Sequence, residues 1–371
     1  MNWNEPLSGS RHSIGKENAV NLKEVRNNID NIDQQILILL RHRLEYALQA
    51  GKHKNAVFDP SREQSVYDNV LGKSSSLMQD QFIRSLYERI IAESKELQHR
   101  GLKLVGFQGE HGAWSEIAIH SLGNSTVPIP CLEFSDVFTG VANQDFEFGM
   151  VPIENSLEGS VTEVNDLLVE TDLKIVAEAV IPIHHNLLAL PGTSHQEIKS
   201  VYSHPQALGQ CRAFLSRHKL EPRPFYDTAG AARWLAREQQ RAAGVIASAL
   251  AAELHGLEII KENIEDHAQN ATRFVMLSTE AASGEANKCT ISFSTQHRVG
   301  ALFDVLRIFA ENNINLTRIE SRPVRKNPGA FAFLVDLQGN PEDEVINRTL
   351  GRVEKATMKF KNLGFYRGAA A

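Results

Sequence analysis

The chain has 371 residues, a length that predicts two to three domains. Its 39 Lys and Arg stand against 45 Asp and Glu, and the net charge of −6 argues against a general nucleic-acid or anionic-membrane binder. Without a run of about 18 apolar residues, and with a polar N-terminus, we expect neither a transmembrane helix nor a signal peptide. The cysteines, Cys131, Cys211 and Cys289, are too far apart for a zinc motif, so we expect a reduced cytoplasmic location.

The N-terminal part of the chain reads as helical. Residues 1–20 are polar and aperiodic and are predicted to form a flexible tail. Apolar residues at helical spacing then predict an all-α domain over 21–101. The predicted helices cover 22–54, 59–72 and 79–100. Asp59 is expected to cap the second helix, and Gly101 to end the third.

The pattern changes after residue 101. Short apolar runs alternate with helical stretches over 102–280, which predicts a two-lobed α/β domain with a cleft between the lobes. The predicted strands are KLVGF, TVPIP, FGMVPI, KIVAEAVIPI, SVYSH, GVIAS and RFVML. Small polar residues over 281–288 predict a linker. Residues 289–371 follow the order β-α-β-β-α-β, which predicts an α+β ferredoxin-like domain.

Two cations fall on the apolar side of the first predicted helix. At about 100° per residue, Arg43 and Lys54 lie within about 20° of Ile36, a residue of the apolar stripe. A buried cation needs an anion, so these side chains could bind a small dianionic ligand. Helical geometry alone leaves a second interpretation open, in which they extend to solvent and pair with Glu45 or Asp59. Arg26 lies about 100° from Arg43 and is expected to serve a partner chain instead.

The middle segment carries five polar motifs at the ends of predicted strands. They are Gly106-Phe-Gln-Gly-Glu-His-Gly112-Ala-Trp-Ser115, Pro152-Ile-Glu154-Asn155-Ser156, Ser203-His204-Pro205-Gln206 with Gln210, Asp227-Thr228-Ala229, and Asn270-Ala-Thr272-Arg273-Phe274. Loops at strand ends are where α/β folds bind ligands, so the motifs predict a polar site at the cleft. Taken singly, Asn155 is also compatible with a helix cap, and His204 with a loop histidine that has its own partner.

Together these motifs resemble known families. The helical segment is similar to the all-helical chorismate mutase domain, and residues 103–371 are similar to prephenate dehydratase followed by an ACT domain. The resemblance runs over 22–367 and is to the bifunctional chorismate mutase–prephenate dehydratases of phenylalanine synthesis. It implies both activities, feedback inhibition by phenylalanine, a homodimer or higher oligomer, and neither a metal nor an organic cofactor.

For the mutase, the resemblance implies a pericyclic rearrangement of chorismate to prephenate, which needs positioning and charge stabilisation but no nucleophile. The matching residues are Arg26, Arg43, Lys54, Asp59, Arg62, Glu63, Ser94 and Gln98. Lys54 and Gln98 would face the breaking ether oxygen. Arg43 and the partner subunit's Arg26 would hold the two carboxylates. Glu63 and the Asp59 region would take the ring hydroxyl, and Arg62 and Ser94 would complete the pocket.

For the dehydratase, the resemblance implies coupled loss of CO2 and of the ring hydroxyl from prephenate. The matching residues are Ser115, Glu154, Asn155, Ser156, Gln206, Gln210, Thr228, Asn270, Thr272, Arg273 and Phe274. Hydroxide leaves poorly, so a general acid is needed, and Thr272 is nearest to that role. Arg273 would pair with a substrate carboxylate.

The C-terminal segment resembles the phenylalanine-binding motifs of ACT domains at two places. The matching residues are Gly300, Ala301, Leu302, Phe303, Glu320, Ser321, Arg322 and Pro323. The resemblance implies that phenylalanine binds between the first motif of one chain and the second motif of another. Without the matching order of elements, the same residues are compatible with a tight turn and a polar strand end.

Two other functions remain open from the sequence. The first is a non-catalytic amino-acid sensor, against which the intact mutase set and the Thr272-Arg273-Phe274 motif argue. The second is a dehydratase that prefers arogenate, the aminated analogue of prephenate. A complete mutase domain that supplies prephenate argues against the second function.

Overall fold

The structure is a computed structural model that describes residues 21–53, 59–73, 75–123, 125–324 and 331–369. The chain divides into two compact units, Met1–Arg43 and Leu44–Ala371. The predicted tail over 1–20, and Lys54, lie outside the described residues. Among the described residues, no helix is both long and apolar enough to cross a membrane.

The N-terminal part forms the three predicted helices. They are α1 (Leu22–Lys52), α2 (Pro60–Leu71) and α3 (Asp80–His99). Asp59 caps α2 as predicted, because its carboxylate accepts a hydrogen bond from the Arg62 backbone N–H at 3.0 Å. Gly101 follows α3 with a φ of +62°, a left-handed conformation that favours glycine at a helix end.

The middle segment is the predicted α/β domain, with two sheets. Its strands are β1 (Lys103–Gln108), β2 (Thr126–Cys131), β3 (Phe148–Asn155), β4 (Gly159–Ser160), β5 (Lys174–Pro182), β6 (Asn186–Ala189), β7 (Ser200–Ser203), β8 (Glu221–Pro224), β9 (Ala243–Ala247), β10 (Glu258–Lys261) and β11 (Ala271–Ser278). Its helices are α4 (Trp114–Ser121), α5 (Phe134–Ala142), α6 (Thr162–Glu170), α7 (Pro205–Gln210), α8 (Arg212–Arg217), α9 (Thr228–Glu238) and α10 (Ala249–His255).

Each lobe is built on one mixed sheet. The first has the strand order β2-β1-β3-β11-β5, with β4 paired to β3, and the second has the order β10-β6-β9-β7-β8. In the first sheet β11 runs antiparallel to both β3 and β5, so the last strand of the middle segment lies between two earlier strands of the lobe. This pairing places Thr272 opposite Asn155, and Arg273 opposite Glu154.

The C-terminal segment is the predicted ferredoxin-like unit. Its elements are β12 (Lys288–Ser294), α11 (Ala301–Glu311), β13 (Leu316–Pro323), β14 (Phe331–Gln338), α12 (Glu344–Ala356) and β15 (Lys359–Tyr366). The antiparallel sheet has the order β13-β14-β12-β15. Strand β13 therefore lies at one edge of the sheet, and the second effector motif lies on that strand.

One apolar core connects the parts of the second compact unit. Leu48 at the end of α1 is buried in the same cluster as Leu104 and Val275 of the first sheet. Leu334 and Tyr366 of the C-terminal sheet belong to that cluster too. The C-terminal segment therefore packs on the first lobe through buried side chains, and the 281–288 segment is not its only connection.

Candidate active sites

Asn155, the last residue of β3, is the centre of a buried polar network. Its Oδ1 accepts hydrogen bonds from the backbone N–H groups of Leu157, at 2.9 Å, and Glu158, at 3.0 Å. Its Nδ2 donates to Thr272 Oγ1 at 2.9 Å and to Asn270 Oδ1 at 2.8 Å. Because backbone N–H groups can only donate, they fix which end of the Asn155 amide is the oxygen.

The network makes the Thr272 hydroxyl a hydrogen-bond donor toward other groups. Its Oγ1 accepts from Asn155, so the hydroxyl hydrogen of Thr272 remains available for donation to another group. The side chain is buried, which strengthens any hydrogen bond that it makes to a ligand. A hydroxyl that is held as a donor is what protonation of a leaving group requires.

The network continues into the second lobe. Asn270 Nδ2 donates to Gln210 Oε1 at 3.1 Å, and Gln210 is the last residue of α7. The His185 ring nitrogen Nε2 lies 2.8 Å from the same Gln210 oxygen. Groups from both lobes therefore meet at the predicted cleft. His185 did not belong to any motif, and only its position directly before the apolar strand β6 could have drawn attention to it.

Ser156 lies beside this network and links the end of β3 to the start of β11. Its Oγ accepts from the Ala271 backbone N–H at 3.0 Å and donates to the Gln269 carbonyl at 3.3 Å. The structure thus brings together Asn155, Ser156, Asn270, Thr272 and Gln210, as the motifs predicted.

Two members of the predicted site, Arg273 and Glu154, face away from the network. Successive side chains in a strand point to opposite faces, so Arg273 lies on the other side of β11 from Thr272. The Arg273 side chain is 13% exposed, its guanidinium pairs with the buried Asp336 of β14, and its Nε lies 3.6 Å from Glu178. Glu154 is likewise 3.8 Å from Arg273. The expectation that Arg273 pairs with a substrate carboxylate is therefore corrected, since protein carboxylates occupy it.

The expectation that Phe274 belongs to the substrate site is also corrected. It is 2% exposed and packs in the apolar cluster of the first lobe with Phe107 and Met150. A ring enclosed in this way stabilises the sheet and does not line a polar cleft.

The remaining predicted dehydratase residues lie in the first turns of helices that follow strands. Ser115 is in α4 after β1, Gln206 is in α7 after β7, and Thr228 begins α9 after β8. His204 caps α7 through its ring nitrogen Nδ1, which accepts from the Gln206 N–H at 3.3 Å, so it is the loop histidine with its own partner. Asp227 caps α9, and burial raises the pKa of its carboxyl while the Gly230 N–H lowers it.

The predicted mutase residues of the second compact unit lie on α2 and α3. Gln98 Nε2 donates to the carbonyl of Ala47, and Ser94 is buried with its Oγ donating to the Ile90 carbonyl at 2.7 Å. Glu63 pairs with Lys95 at 2.5 Å, a partner that the sequence analysis missed.

The other mutase residues are placed individually. Arg62 and Asp59 start α2, with the Arg62 side chain exposed. On α1, Arg26 is exposed and Arg43 is half-buried within the unit Met1–Arg43. Lys54 lies outside the described residues, so its role stays a prediction.

The effector motifs are at the predicted turn and edge strand. Gly300 has a φ of +79° and begins α11, and Phe303 is exposed one turn later. Glu320, Ser321, Arg322 and Pro323 end β13, where Arg322 Nε donates to Asp166 Oδ1 of α6 at 2.6 Å. Arg322 therefore ties the ACT-like sheet to the helix that follows β4.

These features define a multidomain protein with a buried polar site in its two-lobed α/β domain and a ferredoxin-like C-terminal domain, and comparison with known proteins gives its family. Family models match in the order chorismate mutase type II over residues 25–99, prephenate dehydratase over 105–282 and ACT domain over 290–355. A bifunctional chorismate mutase/prephenate dehydratase of Aquifex aeolicus is 34% identical, covering 93% of this chain and 97% of the relative. The chain belongs to the bifunctional chorismate mutase/prephenate dehydratase family.

Two partial matches add detail. A chloroplastic arogenate dehydratase/prephenate dehydratase of Arabidopsis thaliana is 38% identical but covers only 71% of this chain and 72% of the relative. The solved prephenate dehydratase of Arthrobacter aurescens in complex with L-Phe is 31% identical, with a TM-score of 0.67, covering 71% of this chain and 90% of that structure.

Proposed function

We propose that the network around Thr272 dehydrates and decarboxylates prephenate to phenylpyruvate. Carbon dioxide leaves because its departure makes the ring aromatic, and the ring hydroxyl takes up a proton and leaves as water. Thr272 donates a hydrogen bond to that leaving hydroxyl, and Asn155 holds the threonine oxygen. The observation that carries this proposal is the 2.9 Å contact between Asn155 Nδ2 and Thr272 Oγ1.

We propose that the helical segment supplies this site with its substrate. In this proposal Lys54 and Gln98 stabilise charge on the breaking ether oxygen of chorismate, and Arg43 and the partner subunit's Arg26 hold the carboxylates. Glu63 takes the ring hydroxyl, with Lys95 holding its carboxylate. The test is to incubate the pure protein with chorismate and follow prephenate and phenylpyruvate. A protein that makes prephenate but never phenylpyruvate would lack the second activity.

We propose that two copies of the chain pair through α1. Alternating steps of three and four residues separate six exposed apolar residues along this helix, namely Leu22, Val25, Ile29, Ile32, Ile36 and Leu39. Such spacing is that of a paired helix, and Arg43 continues it four residues after Leu39. An exposed apolar stripe of this length favours a partner, and a second copy would bring its own Arg26.

We propose phenylalanine as the effector of the ACT domain, bound between the Gly300 turn of one chain and the edge strand of another. The Gly300 turn offers backbone donors to a carboxylate, and the exposed Phe303 offers an apolar rim. The name of the Arthrobacter relative, which includes L-Phe, supports this choice of ligand. Loss of inhibition in a Gly300 variant with normal catalysis would support the location.

We also propose domain boundaries at 21–101, 102–280 and 289–371, with a linker over 281–288.

We propose a cytoplasmic location, which is supported by three free cysteines, of which Cys211 and Cys289 are buried. Burial raises the pKa of the Cys131 thiol to about 12, which fits an inert thiol.

A further inference from the structure

His185 lies in the dehydratase network, although no motif of the sequence contains it. It follows β5 and precedes β6, and its side chain is almost fully buried. Its ring packs edge-on against the Trp114 ring, with centroids 6.1 Å apart. Its backbone N–H donates to Glu265 Oε2 at 2.9 Å, which fixes the residue in the loop.

The hydrogen bonds assign the protonation state of this ring. The backbone N–H groups of Leu157 and Glu158 fix the oxygen of Asn155, so Asn155 Nδ2 must donate to Asn270 Oδ1. Asn270 Nδ2 is therefore the group that faces Gln210, and the atom it meets is the oxygen Oε1. That oxygen can only accept, so His185 Nε2 carries the hydrogen of their 2.8 Å contact.

The surroundings of Nδ1 and the direction of the His185 pKa also indicate a neutral imidazole. Nδ1 of His185 is buried and has no hydrogen-bond partner among the described residues. Burial lowers the pKa of His185, while the hydrogen bond to Gln210 and the charge of Glu265 raise it and His184 lowers it further. The ring is thus a donor at Nε2 and a bare acceptor at Nδ1.

We propose that His185 is a positioning residue of the dehydratase site, acting through Gln210. Because His185 and Asn270 both donate to Gln210 Oε1, only the Nε2 hydrogens of this amide remain to contact a ligand. One of them meets Glu158 Oε1 at a long 3.4 Å, which leaves donor capacity for a carboxylate of the substrate. Without His185, the Gln210 amide could turn over and present its oxygen to an anion. This inference depends on the proposed function of the Thr272 network.

The test compares three variants in both assays. For His185→Leu we expect prephenate kcat/KM to fall about tenfold to a hundredfold, mainly through a higher KM, with the mutase rate unchanged. His185→Gln can offer an amide N–H near the position of Nε2 and should recover activity to within about threefold of wild type. The matched control is His184→Leu, because the half-exposed His184 ring contacts Glu265 Oε1 and does not contact Gln210. The variant keeps the His185 backbone N–H that donates to the other oxygen, Glu265 Oε2, so its kcat/KM should stay within about twofold.

A spectroscopic measurement tests the assignment directly. Long-range ¹H–¹⁵N spectra of the full-length protein labelled at histidine should show His185 with hydrogen at Nε2 and none at Nδ1. Hydrogen at Nδ1, or a His185→Leu variant with normal KM and kcat, would overturn the inference. If Thr272→Ala kept dehydratase activity as well, the proposed site itself would be wrong. If Thr272→Ala were inactive and His185→Leu normal, only the role of His185 would fail.

Discussion

Asn155 Nδ2 donates to Thr272 Oγ1 across two paired strands, and this contact orients the hydroxyl at the candidate dehydratase site. The neighbouring residue of each strand faces the other way. Glu154 lies 3.8 Å from Arg273, and Arg273 pairs with Asp336 of the C-terminal sheet. The same two strands therefore carry site residues on one face and contacts to the regulatory domain on the other.

Replacing Thr272 should separate the two activities. For Thr272→Ala we expect dehydratase kcat to fall at least about a hundredfold, since a donor to the leaving hydroxyl is lost, while the mutase rate is unchanged. Thr272→Ser keeps the hydroxyl and should retain most of the activity. Initial rates with prephenate and with chorismate check both expectations. Equal loss of both activities, with a changed circular dichroism spectrum, would indicate misfolding instead.

Asp336 should link the regulatory domain to the site. Its carboxylate is fully buried, accepts from Thr290 Oγ1 at 2.8 Å and pairs with Arg273, the residue next to Thr272. Asp336→Asn removes the charge at nearly constant size, so we expect about 3 kcal/mol less stability and weaker inhibition by phenylalanine. Denaturant unfolding and inhibition curves measure the two effects.

The matched control for Asp336 is Asp304→Asn in the same domain. Asp304 pairs with Arg298 at the surface, so this control should leave the denaturant midpoint of unfolding nearly unchanged. Unchanged inhibition in Asp336→Asn, with folding intact, would contradict the link.

Lys54 should be specific to the mutase. Lys54→Ala removes the predicted donor to the ether oxygen, and the loss of such a donor costs on the order of 3 kcal/mol of transition-state stabilisation. We expect mutase activity to fall more than about a hundredfold and the prephenate rate to stay at the wild-type value. A variant with near-normal mutase kinetics would contradict the assignment of Lys54.

The α1 stripe should hold two chains together. Ile29 is 51% exposed, and Ile29→Glu places a charge in the expected contact, so sedimentation should show monomers and mutase activity should fall. Asn27→Glu introduces the same charge on the opposite side of α1 and should leave the dimer intact. Mixing inactive Arg26→Ala chains with inactive Lys54→Ala chains should restore some mutase sites. Verified subunit exchange without recovery would count against sharing.

Periodicity predicted the fold well, because most strands of this chain are buried apolar runs. Within the part of the chain that the structure describes, the four strands that it missed are short. Glu221–Pro224 is exposed along its whole length, so it has no apolar pattern to detect. The strand joins the second sheet only by pairing with Ser200–Ser203, which no local pattern reveals.

The site was predicted less completely than the fold. Motifs located the residues around Asn155 and Thr272, because polar groups at strand ends are a local feature. Arg273 was assigned to the substrate on the strength of its motif, although strand alternation alone places adjacent residues on opposite faces. His185 was missed because its partners, Gln210 and Trp114, are distant in sequence and meet it only in the folded chain.

The most direct measurement follows chorismate, prephenate and phenylpyruvate over time with the pure full-length protein. The account predicts that chorismate disappears, prephenate rises and falls, and phenylpyruvate accumulates. With the Thr272→Ala variant the reaction should stop at prephenate. With the Lys54→Ala variant chorismate should persist, whereas prephenate supplied directly should still be consumed. Phenylpyruvate formed at the wild-type rate by Thr272→Ala would contradict the account.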